Sequence, residues 1–236
     1  MTRTSEELFT CDARELTALR RPLRTEQNSV HVWAFELECP SECIELCRSW
    51  LSAAECDQAD RLVFPQDRNR YTIAHGVLRR LLSLYCDSAP ESLRFTSPAS
   101  GKPALQPLNG VAPAISFNLT HSHARALIGV SASLELGIDL EMLAANTEVL
   151  SISRRYFFGS EREAIEGAPS ALRDKTFFRY WVAKEAVLKA AGMGLGFPLD
   201  RFRVDFLPGG AAARIETLDP AVLAGDWTVR MLPCES

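Results

Sequence analysis

The chain has 236 residues, of which 47% are hydrophobic and 24% are charged, and its formal net charge is −4. These proportions are typical of a globular protein, and no apolar run approaches the ~20 residues that a membrane helix needs. The negative charge argues against general nucleic-acid binding, so anionic ligands would require local basic groups. Because residues 1–7 are polar and lack the apolar core of a secretory signal, we expect a cytoplasmic protein with neither a membrane nor a nucleic acid as partner.

Three of the seven cysteines, Cys39, Cys43 and Cys47, recur at every fourth residue, a spacing that stacks them on one face of a helix. The spacing differs from the usual Cys-x-x-Cys pair, and no histidine lies close by in the sequence. We therefore interpret them as reduced thiols packed in the interior, with a metal or cluster site as the alternative.

The first third of the chain predicts a polar leader followed by a strand and two helices. Residues 1–27 have no hydrophobic period and are expected to be flexible. Residues 30–37 are rich in β-forming side chains and predict a strand. Ser52 with Glu55 forms a capping box that opens a helix, and apolar residues at helical spacing predict a longer helix over residues 67–85.

The middle of the chain predicts three strands after a connection rich in proline, serine and glycine at residues 97–107. The strands are expected at residues 115–120, 126–132 and 134–141. His75, in the preceding helix, falls on the apolar face, and we interpret it as a packed core histidine.

The last third predicts one strong helix between shorter elements. Ser160 with Glu163 is a second capping box, and residues 177–191 form the helix. Strands are expected at residues 201–206 and 227–232. Strands and helices are thus mixed in both halves, which indicates an α+β fold of two lobes, residues 28–133 and 134–236, with a ligand cleft between them.

Two carboxylates stand close together in the third predicted strand. Strand alternation places Asp139 and Glu141 on one face with Gly137, whose missing side chain lets a ligand or another backbone come near. Two carboxylates on one face are tolerated when both face water, whereas a divalent cation makes their closeness favourable. Taken alone, the pair leaves both readings open.

A third carboxylate lies on the strong helix. At roughly 100° per residue, Glu185 projects between Trp181 and Phe178, where an apolar side chain is expected. Lys189 lies one turn on, so the two could form a simple exposed salt bridge. Because ionised groups within an apolar arc are costly unless a metal or an anion compensates them, we favour a ligand site.

Three carboxylates, Asp139, Glu141 and Glu185, are a plausible set for one Mg²⁺ that holds a pyrophosphate. An anionic ligand also needs cations, which Lys189 and the turn lysine Lys102 could supply. Polar side chains that could bind phosphate lie at the end of the strand predicted at residues 115–120 and directly after it: Asn118, Thr120, His121 and Ser122.

These motifs resemble those of the 4'-phosphopantetheinyl transferases of the surfactin-synthetase-activator type, the class that activates peptide and polyketide synthetases. The family's Gly-Ile-Asp-x-Glu motif is present at residues 137–141, and its Trp-x-x-Lys-Glu-x-x-x-Lys motif at residues 181–189. Similarity extends over most of residues 50–206, including Gly101-Lys102-Pro103, the helix at 67–82, the stretch at 117–121 and the glycine-rich tail at 192–196.

The resemblance implies a pseudo-twofold monomer of two similar α+β lobes with coenzyme A and Mg²⁺, or Mn²⁺, in the cleft between them. It places Asp139, Glu141 and Glu185 on the metal, against the pyrophosphate of coenzyme A. It places Lys102, Thr120 and His121 on the remaining phosphate and Lys189 on the pyrophosphate. The rest of the implied coenzyme A site is Gly101, Pro103 and Asn118.

The implied reaction is phosphoryl transfer to a serine of an apo acyl or peptidyl carrier protein, with release of 3',5'-ADP. Glu185 is the candidate to accept the serine proton, directly or through water, and this role competes with metal binding for the same oxygens. The carrier is expected to dock near residues 142–158, where two arginines precede three aromatic residues. The alternative for that segment is a solvated arginine pair followed by core aromatics.

Two positions depart from the family pattern. Thr120 replaces the usual serine and keeps the hydroxyl group. Gln58 stands where a basic residue contacts a phosphate of coenzyme A, which puts that contact in doubt. A metal-dependent phosphohydrolase and a non-catalytic coenzyme A sensor are the alternative functions for the same residues.

Overall fold

The computed structural model describes residues 5–20, 22–96, 101–107, 110, 115–143, 148–194, 196–218, 223, 225 and 227–233. Strands and helices are mixed throughout, so the predicted α+β class is confirmed. The chain divides into two compact units, Met1–Leu140 and Glu141–Ser236. The division falls after Leu140 rather than after residue 133, the boundary expected from the sequence.

The strands of the first unit form a four-stranded sheet and a two-stranded ribbon. In chain order they are β1 (Ser5–Thr10), β2 (Ser29–Glu36), β3 (Phe95–Thr96), β4 (Ala104–Leu105), β5 (Ser116–Ser122) and β6 (Arg125–Ser131). The large sheet has the order β1-β2-β6-β5, with β1 parallel to β2 and the other pairs antiparallel. The strands predicted at residues 30–37, 115–120 and 126–132 are confirmed as β2, β5 and β6.

Within the described residues, the α-helices of the first unit are α1 (Ala13–Ala18), α2 (Ser41–Trp50), α3 (Ala53–Arg61) and α4 (Pro65–Tyr85). The predicted helix at residues 67–85 is confirmed as α4, and the predicted capping box of Ser52 and Glu55 opens α3. The core lies between these helices and the sheet, with Leu81 and Leu82 of α4 and Ile128 of β6 completely buried. No helix within the described ranges is long and apolar enough to cross a membrane.

The cysteine spacing correctly indicated a buried helix face for Cys43 and Cys47, whereas Cys39 lies before the helix and is only partly buried. Cys43 and Cys47 lie in α2 and are both buried against the core. None of the six cysteines that the structure describes forms a disulfide, and burial raises the pKa of Cys47. A reactive thiolate at Cys47 is therefore disfavoured.

The N-terminal segment, expected to be a flexible leader, contains packed structure. Strand β1 pairs with β2 over its whole length, and Leu16 of α1 is completely buried. Asp12 and Glu15 form a capping box that opens α1, with the Asp12 carboxylate accepting a hydrogen bond from the Glu15 amide at 2.7 Å. The expectation of a leader over residues 1–27 is wrong for this part because a strand paired in parallel draws its stability from a distant partner and shows no periodicity of its own.

Residues 134–141 follow an extended path beside the sheet but are not a strand. The predicted alternation holds, since Leu136 and Ile138 are buried. Gly129 of β6 makes room for this packing, because a Cβ at Gly129 would lie 2.6 Å from Cδ1 of Leu136. The segment therefore attaches through buried side chains and through side-chain hydrogen bonds, such as those of Ile138 and Asp139, rather than through a strand ladder, and the predicted third strand is wrong.

Where the structure describes the second unit, its α-helices are α5 (Val149–Tyr156), α6 (Gly159–Gly167) and α7 (Ser170–Ala191), and its strands are β7 (Phe202–Phe206), β8 (Ala212–Thr217) and β9 (Thr228–Arg230). The strands form an antiparallel sheet in the order β7-β8-β9. The helix predicted at residues 177–191 is confirmed as the larger part of α7, which ends at Gly192 with a φ of 68°. Strands β7 and β9 confirm the predictions at residues 201–206 and 227–232, while β8 was missed.

The predicted capping box of Ser160 and Glu163 is wrong by two residues. Helix α6 begins at Gly159, so that Ser160 is already inside it. The carboxylate of Glu161, rather than that of Glu163, accepts a hydrogen bond from the amide of Phe158 at 3.0 Å. The pattern of serine followed by an acid three residues later was present, but tertiary contacts of Glu161 fix the start of the helix.

Candidate active site

Asp139 is held in place by the strand beside it. The hydroxyl group of Thr120 in β5 donates a hydrogen bond to Oδ1 of Asp139 at 3.2 Å. Two residues earlier on the same face, Oδ1 of Asn118 accepts a hydrogen bond from the amide of Ile138 at 2.9 Å. Both Asn118 and Thr120 are buried. These polar residues, predicted as phosphate contacts, thus fix the extended segment that carries the first carboxylate.

His121 lies next to Thr120 in β5 but is exposed, because successive strand residues point to opposite faces. It is paired with Ala126 of β6 near the turn of the hairpin. Thr120 and His121, which were both predicted to bind the same phosphate as Lys102, therefore point to opposite faces of β5. All three have further interactions besides those described here.

Lys102 lies between a glycine with positive φ and a proline, and it is paired with a carboxylate. Gly101 before it has a φ of 87°, a conformation that favours glycine, and Pro103 follows it. The ammonium group of Lys102 lies 2.6 Å from Oε2 of Glu135. Oε1 of the same carboxylate accepts a hydrogen bond from the Ser116 hydroxyl group at 3.0 Å.

The charges of this pair affect the titration of Glu135. Partial burial alone would raise the pKa of Glu135, but the hydrogen bonds and charge of Lys102 and the bond from Ser116 lower it below its usual value. The sequence offered no signal for Glu135, which is 33 residues from Lys102 along the chain.

The motif on α7 brings two charged residues into the interior of the second unit. Glu185 is 7% exposed and Lys184 is 0% exposed, whereas Lys189 is half-buried. The low exposure of Glu185 agrees with the prediction that it projects among apolar side chains rather than into water. Glu141, at the beginning of this unit, is exposed.

Lys184 is part of a closed polar network. Its ammonium group lies 2.9 Å from Oε1 of Glu161 and donates hydrogen bonds to the carbonyl groups of Leu199 at 2.8 Å and Phe202 at 2.6 Å. These contacts occupy the three donors of the ammonium group. Glu161 in turn accepts a hydrogen bond from the amide of Val204 at 2.8 Å. The motif lysine therefore joins α7 to α6 and β7, a role that sequence reasoning missed.

Burial dominates the titration of this pair. It raises the pKa of Glu161 and lowers the pKa of Lys184, in each case against the attraction of the other charge. A pair of this kind costs desolvation energy and is retained for the geometry that it enforces or for the groups that it satisfies. Here it fixes the helix turn that carries Glu185.

The chemistry of the predicted metal ligands suits Mg²⁺. Asp139, Glu141 and Glu185 supply carboxylate oxygens, the donors that Mg²⁺ prefers, and Asp139 is oriented by a hydroxyl group as metal-binding carboxylates commonly are. Within the part of the chain that the structure describes, no group of three acidic, histidine or cysteine side chains is gathered as a metal site. The three-carboxylate set stays a prediction.

The segment predicted to contact a carrier protein combines exposed and buried residues. In α5, Arg154 pairs with Glu166 at 2.7 Å, and the guanidinium group of Arg155 lies 5.2 Å from the centre of the Tyr156 ring. Tyr156 is 43% exposed, while Phe157 is 4% exposed and stacks on Phe177. The two readings of the sequence thus apply to different residues: Phe157 belongs to the core, and Arg154, Arg155 and Tyr156 lie at the surface.

The coenzyme A contact that the resemblance puts in doubt lies on α3. Gln58 and Arg61 are both exposed on this helix. The structure therefore leaves both side chains accessible to an anionic ligand.

Comparison with known proteins identifies relatives over most of the chain. A model of the 4'-phosphopantetheinyl transferase superfamily matches residues 135–230, which include both sequence motifs. The 4'-phosphopantetheinyl transferase HetI of Nostoc sp. is 36% identical over 168 residues, covering 71% of this chain and 70% of the relative. A putative 4'-phosphopantetheinyl transferase of Synechocystis sp. is 34% identical, covering 69% and 66%, and a 4'-phosphopantetheinyl transferase of Bacillus subtilis is 28% identical, covering 66% of each.

Proposed function

The chain belongs to the 4'-phosphopantetheinyl transferase superfamily, and from this premise we propose that it transfers the phosphopantetheine arm of coenzyme A to a serine of an apo acyl or peptidyl carrier protein. The observation that carries the proposal is that the family match includes both motifs, residues 137–141 and residues 181–189. The proposed reaction depends on Mg²⁺, with Mn²⁺ as a substitute, and releases 3',5'-ADP.

The proposed metal ligands are Asp139, Glu141 and Glu185. When bound, Mg²⁺ would supply positive charge to the pyrophosphate and to the leaving group. The burial of Glu185 and the hydrogen bond from Thr120 to Asp139 support the assignment, because a rigid carboxylate loses less conformational entropy on binding a cation.

The proposed phosphate contacts are cations and polar groups of this chain. Lys189, one turn after Glu185 on α7, is assigned to the pyrophosphate, and Lys102 and His121 are assigned to the 3'-phosphate of coenzyme A. Thr120 was predicted for the same phosphate, but its contact with Asp139 supports an orienting role for its hydroxyl group. Gly101 and Pro103 set the turn that presents Lys102, and Asn118 fixes the backbone of Ile138.

The proposed chemistry is one phosphoryl transfer. A new bond forms between the carrier serine oxygen and the β-phosphorus of coenzyme A, and the bond from that phosphorus to the bridging oxygen breaks. The bridging oxygen leaves as part of 3',5'-ADP. Glu185 accepts the serine proton, directly or through one water molecule, and a carboxylate that performs this step contributes roughly 100- to 10,000-fold to the rate.

The proposed partner is an acidic, helical carrier domain. The surface of α5 supports this proposal because Arg154 and Arg155 place positive charge beside the exposed ring of Tyr156. Basic charge next to an aromatic side chain is suited to an acidic protein surface. The pseudo-twofold arrangement of the lobes, the cleft between them and the monomeric state remain predictions.

The test is mass spectrometry of apo-carrier proteins incubated with this protein, coenzyme A and Mg²⁺. We expect one phosphopantetheine group on the carrier serine, and no transfer when Mg²⁺ is removed by a chelator. A panel of carriers from fatty-acid, polyketide and peptide synthesis covers the partner classes. Coenzyme A consumed without any carrier would identify a phosphohydrolase instead, and binding of coenzyme A without turnover would identify a sensor.

A further inference from the structure

The contact between Lys102 and Glu135 places a carboxylate on the lysine that the proposed function assigns to a phosphate. The Nζ to Oε2 distance of 2.6 Å is that of a charge-assisted hydrogen bond. The lysine therefore already has an anionic partner within the protein itself. An incoming phosphate and this carboxylate would compete for the same ammonium group.

The two members of the pair differ in how firmly they are held. The Lys102 side chain is 15% exposed, whereas that of Glu135 is 65% exposed. A carboxylate so exposed can rotate into water and regain its hydration, while the mostly buried lysine side chain keeps its position. The pair is thus suited to exchange its anionic member.

The ion pair of Lys184 with Glu161 differs from that of Lys102 with Glu135 because both of its members are buried. Lys184 and Glu161 are 0% and 1% exposed, and neither can leave the other without stranding a charge in the interior. Lys184 and Glu161 are therefore a permanent structural pair, whereas the glutamate that pairs with Lys102 is replaceable. Ser116, which donates to the second oxygen of Glu135, favours the paired position without burying it.

We propose that Glu135 competes with the 3'-phosphate of coenzyme A for Lys102. The carboxylate mimics this phosphate, and the phosphate must displace it in order to bind. The inference rests on the proposed function, since it assumes that Lys102 binds this phosphate. A phosphate group carries more negative charge than a carboxylate at neutral pH and so can displace it. Glu135 thereby lowers the affinity of the protein for coenzyme A and reduces its preference for coenzyme A over analogues that lack the 3'-phosphate.

The test compares the binding of coenzyme A and of dephospho-coenzyme A, which lacks the 3'-phosphate, by calorimetry. In Glu135→Gln the Kd for coenzyme A should fall about three- to ten-fold, the scale of a partly exposed ion pair, while that for dephospho-coenzyme A stays constant. Ser116→Ala, which only loosens the carboxylate, should shift the ratio of the two constants in the same direction by less. Lys102→Ala should abolish most of the preference, and adding Glu135→Gln to it should change the ratio less than twofold.

A matched control is Glu216→Gln. Glu216 is 63% exposed and lies 2.5 Å from a half-buried cation, Arg203, in the β7–β8 pair, far along the chain from Lys102. The Glu216→Gln variant should leave the dissociation constants for coenzyme A and for dephospho-coenzyme A unchanged. Thermal unfolding of every variant verifies that the fold is intact.

The possible failures are distinguishable. If wild type prefers coenzyme A but Glu135→Gln does not widen the preference, or tightens both ligands equally, the inference is overturned while the proposed function stands. If wild type does not distinguish the two ligands, the phosphate assignment of Lys102 and the inference fall together. If no carrier is modified but Glu135→Gln still widens the preference, the transferase function fails and the competition is upheld.

Discussion

Lys184 and Glu185 are consecutive residues of α7, and both are charged and buried. On a helix they are separated by about 100°, so they face different surroundings. Lys184 is enclosed by Glu161 and two backbone carbonyl groups. Because that network fixes the rotation of the helix, it also determines the direction in which Glu185 projects.

The functional role of Glu185 can be tested by removing its charge while keeping its shape. We expect Glu185→Gln to lower the rate of carrier modification by at least ~100-fold, the scale of a lost catalytic acid or base. Thermal unfolding should change little, because the amide retains the packing. Glu163→Gln, an exposed acid on α6, is the control and should keep full activity. Near-normal turnover in Glu185→Gln would mean that this carboxylate is only a salt-bridge partner in the helix.

The Lys184–Glu161 pair predicts a stability effect that depends on both residues. Lys184→Met leaves the Glu161 charge buried without its cation and should lower the free energy of unfolding by about 3–5 kcal/mol. Adding Glu161→Gln should recover part of the loss, since the amide oxygen still accepts from Val204 and no charge remains buried. Chemical denaturation measures both, with the exposed Lys175→Met as control. A double variant less stable than Lys184→Met would contradict this account.

At the scale of elements, α3 and α4 are joined by one carboxylate. Oε2 of Glu55 accepts hydrogen bonds from the amide and hydroxyl groups of Ser52 at 2.8 and 2.7 Å, and the Glu55 amide donates to the Ser52 hydroxyl oxygen at 3.3 Å, which completes the capping box of α3. It also accepts from Nε of Arg79 in α4 at 2.8 Å. Arg79 is buried and donates to the carbonyl groups of Pro90 and Leu93 as well. The capping acid is thus also the anchor of a long helix.

This carboxylate makes stability dependent on pH in the acid range. Burial alone would raise the pKa of Glu55, but His75, whose Nδ1 lies 3.8 Å from the carboxylate, and hydrogen bonds from Arg79 and Ser52 lower it from 4.5 to about 2. Since the folded-state pKa is depressed, the stabilisation is present above pH 4.5 and is lost as the pH falls towards about 2. The shift corresponds to roughly 3 kcal/mol at neutral pH.

Glu55→Gln should therefore be less stable than wild type at pH 7, and the difference should shrink steadily below pH 4.5. Urea denaturation at a series of pH values measures it. Glu38→Gln, which removes an exposed acid that pairs with Arg70 at 3.4 Å, serves as control and should show a small difference at every pH. A constant difference between wild type and Glu55→Gln from pH 7 to pH 3 would refute the role of Glu55.

At the scale of the whole molecule, the N-terminal segment is part of the first unit. The amide of Cys11 donates to the carbonyl group of Ala34 at 3.1 Å, continuing the parallel pairing of β1 with β2. Arg80 of α4 donates a hydrogen bond to the carbonyl group of Leu19 after α1. Strand β1 forms one edge of the large sheet, and Leu16 of α1 packs in the core.

Truncation of one leucine tests this integration. Leu16 is completely buried, and Leu16→Ala should lower the free energy of unfolding by about 2–5 kcal/mol. Leu8→Ala, at a position that is 40% exposed in the neighbouring strand, should have a much smaller effect. Denaturant unfolding distinguishes the two. Equal, small effects would indicate that residues 1–27 do behave as the leader that the sequence suggests.

Local patterns along the chain were sufficient to predict the elements whose apolar residues repeat with a strong period. Helices α4 and α7 and strands β2, β5 and β6 follow from local spacing of apolar side chains, since a helix or a half-buried strand shows its buried face every 3.6 or 2 residues. The two motifs at residues 137–141 and 181–189 were sufficient to indicate the family, which the comparisons confirmed. The capping box of α1 at Asp12 and Glu15 was not predicted, because no apolar period follows it in the sequence.

Contacts between residues that are distant along the chain could not be predicted from local patterns. The parallel pairing of β1, the packing of Leu136 against Gly129 and the contact of Lys102 with Glu135 join residues that are distant in sequence. Lys184 and its partner Glu161 are also separated along the chain, and the sequence had indicated Glu163 rather than Glu161 as the capping residue of α6. Local patterns specify the faces that an element buries, but an ion pair or a parallel ladder depends on where the backbone of another element runs, and that position is set by the packing of the whole core.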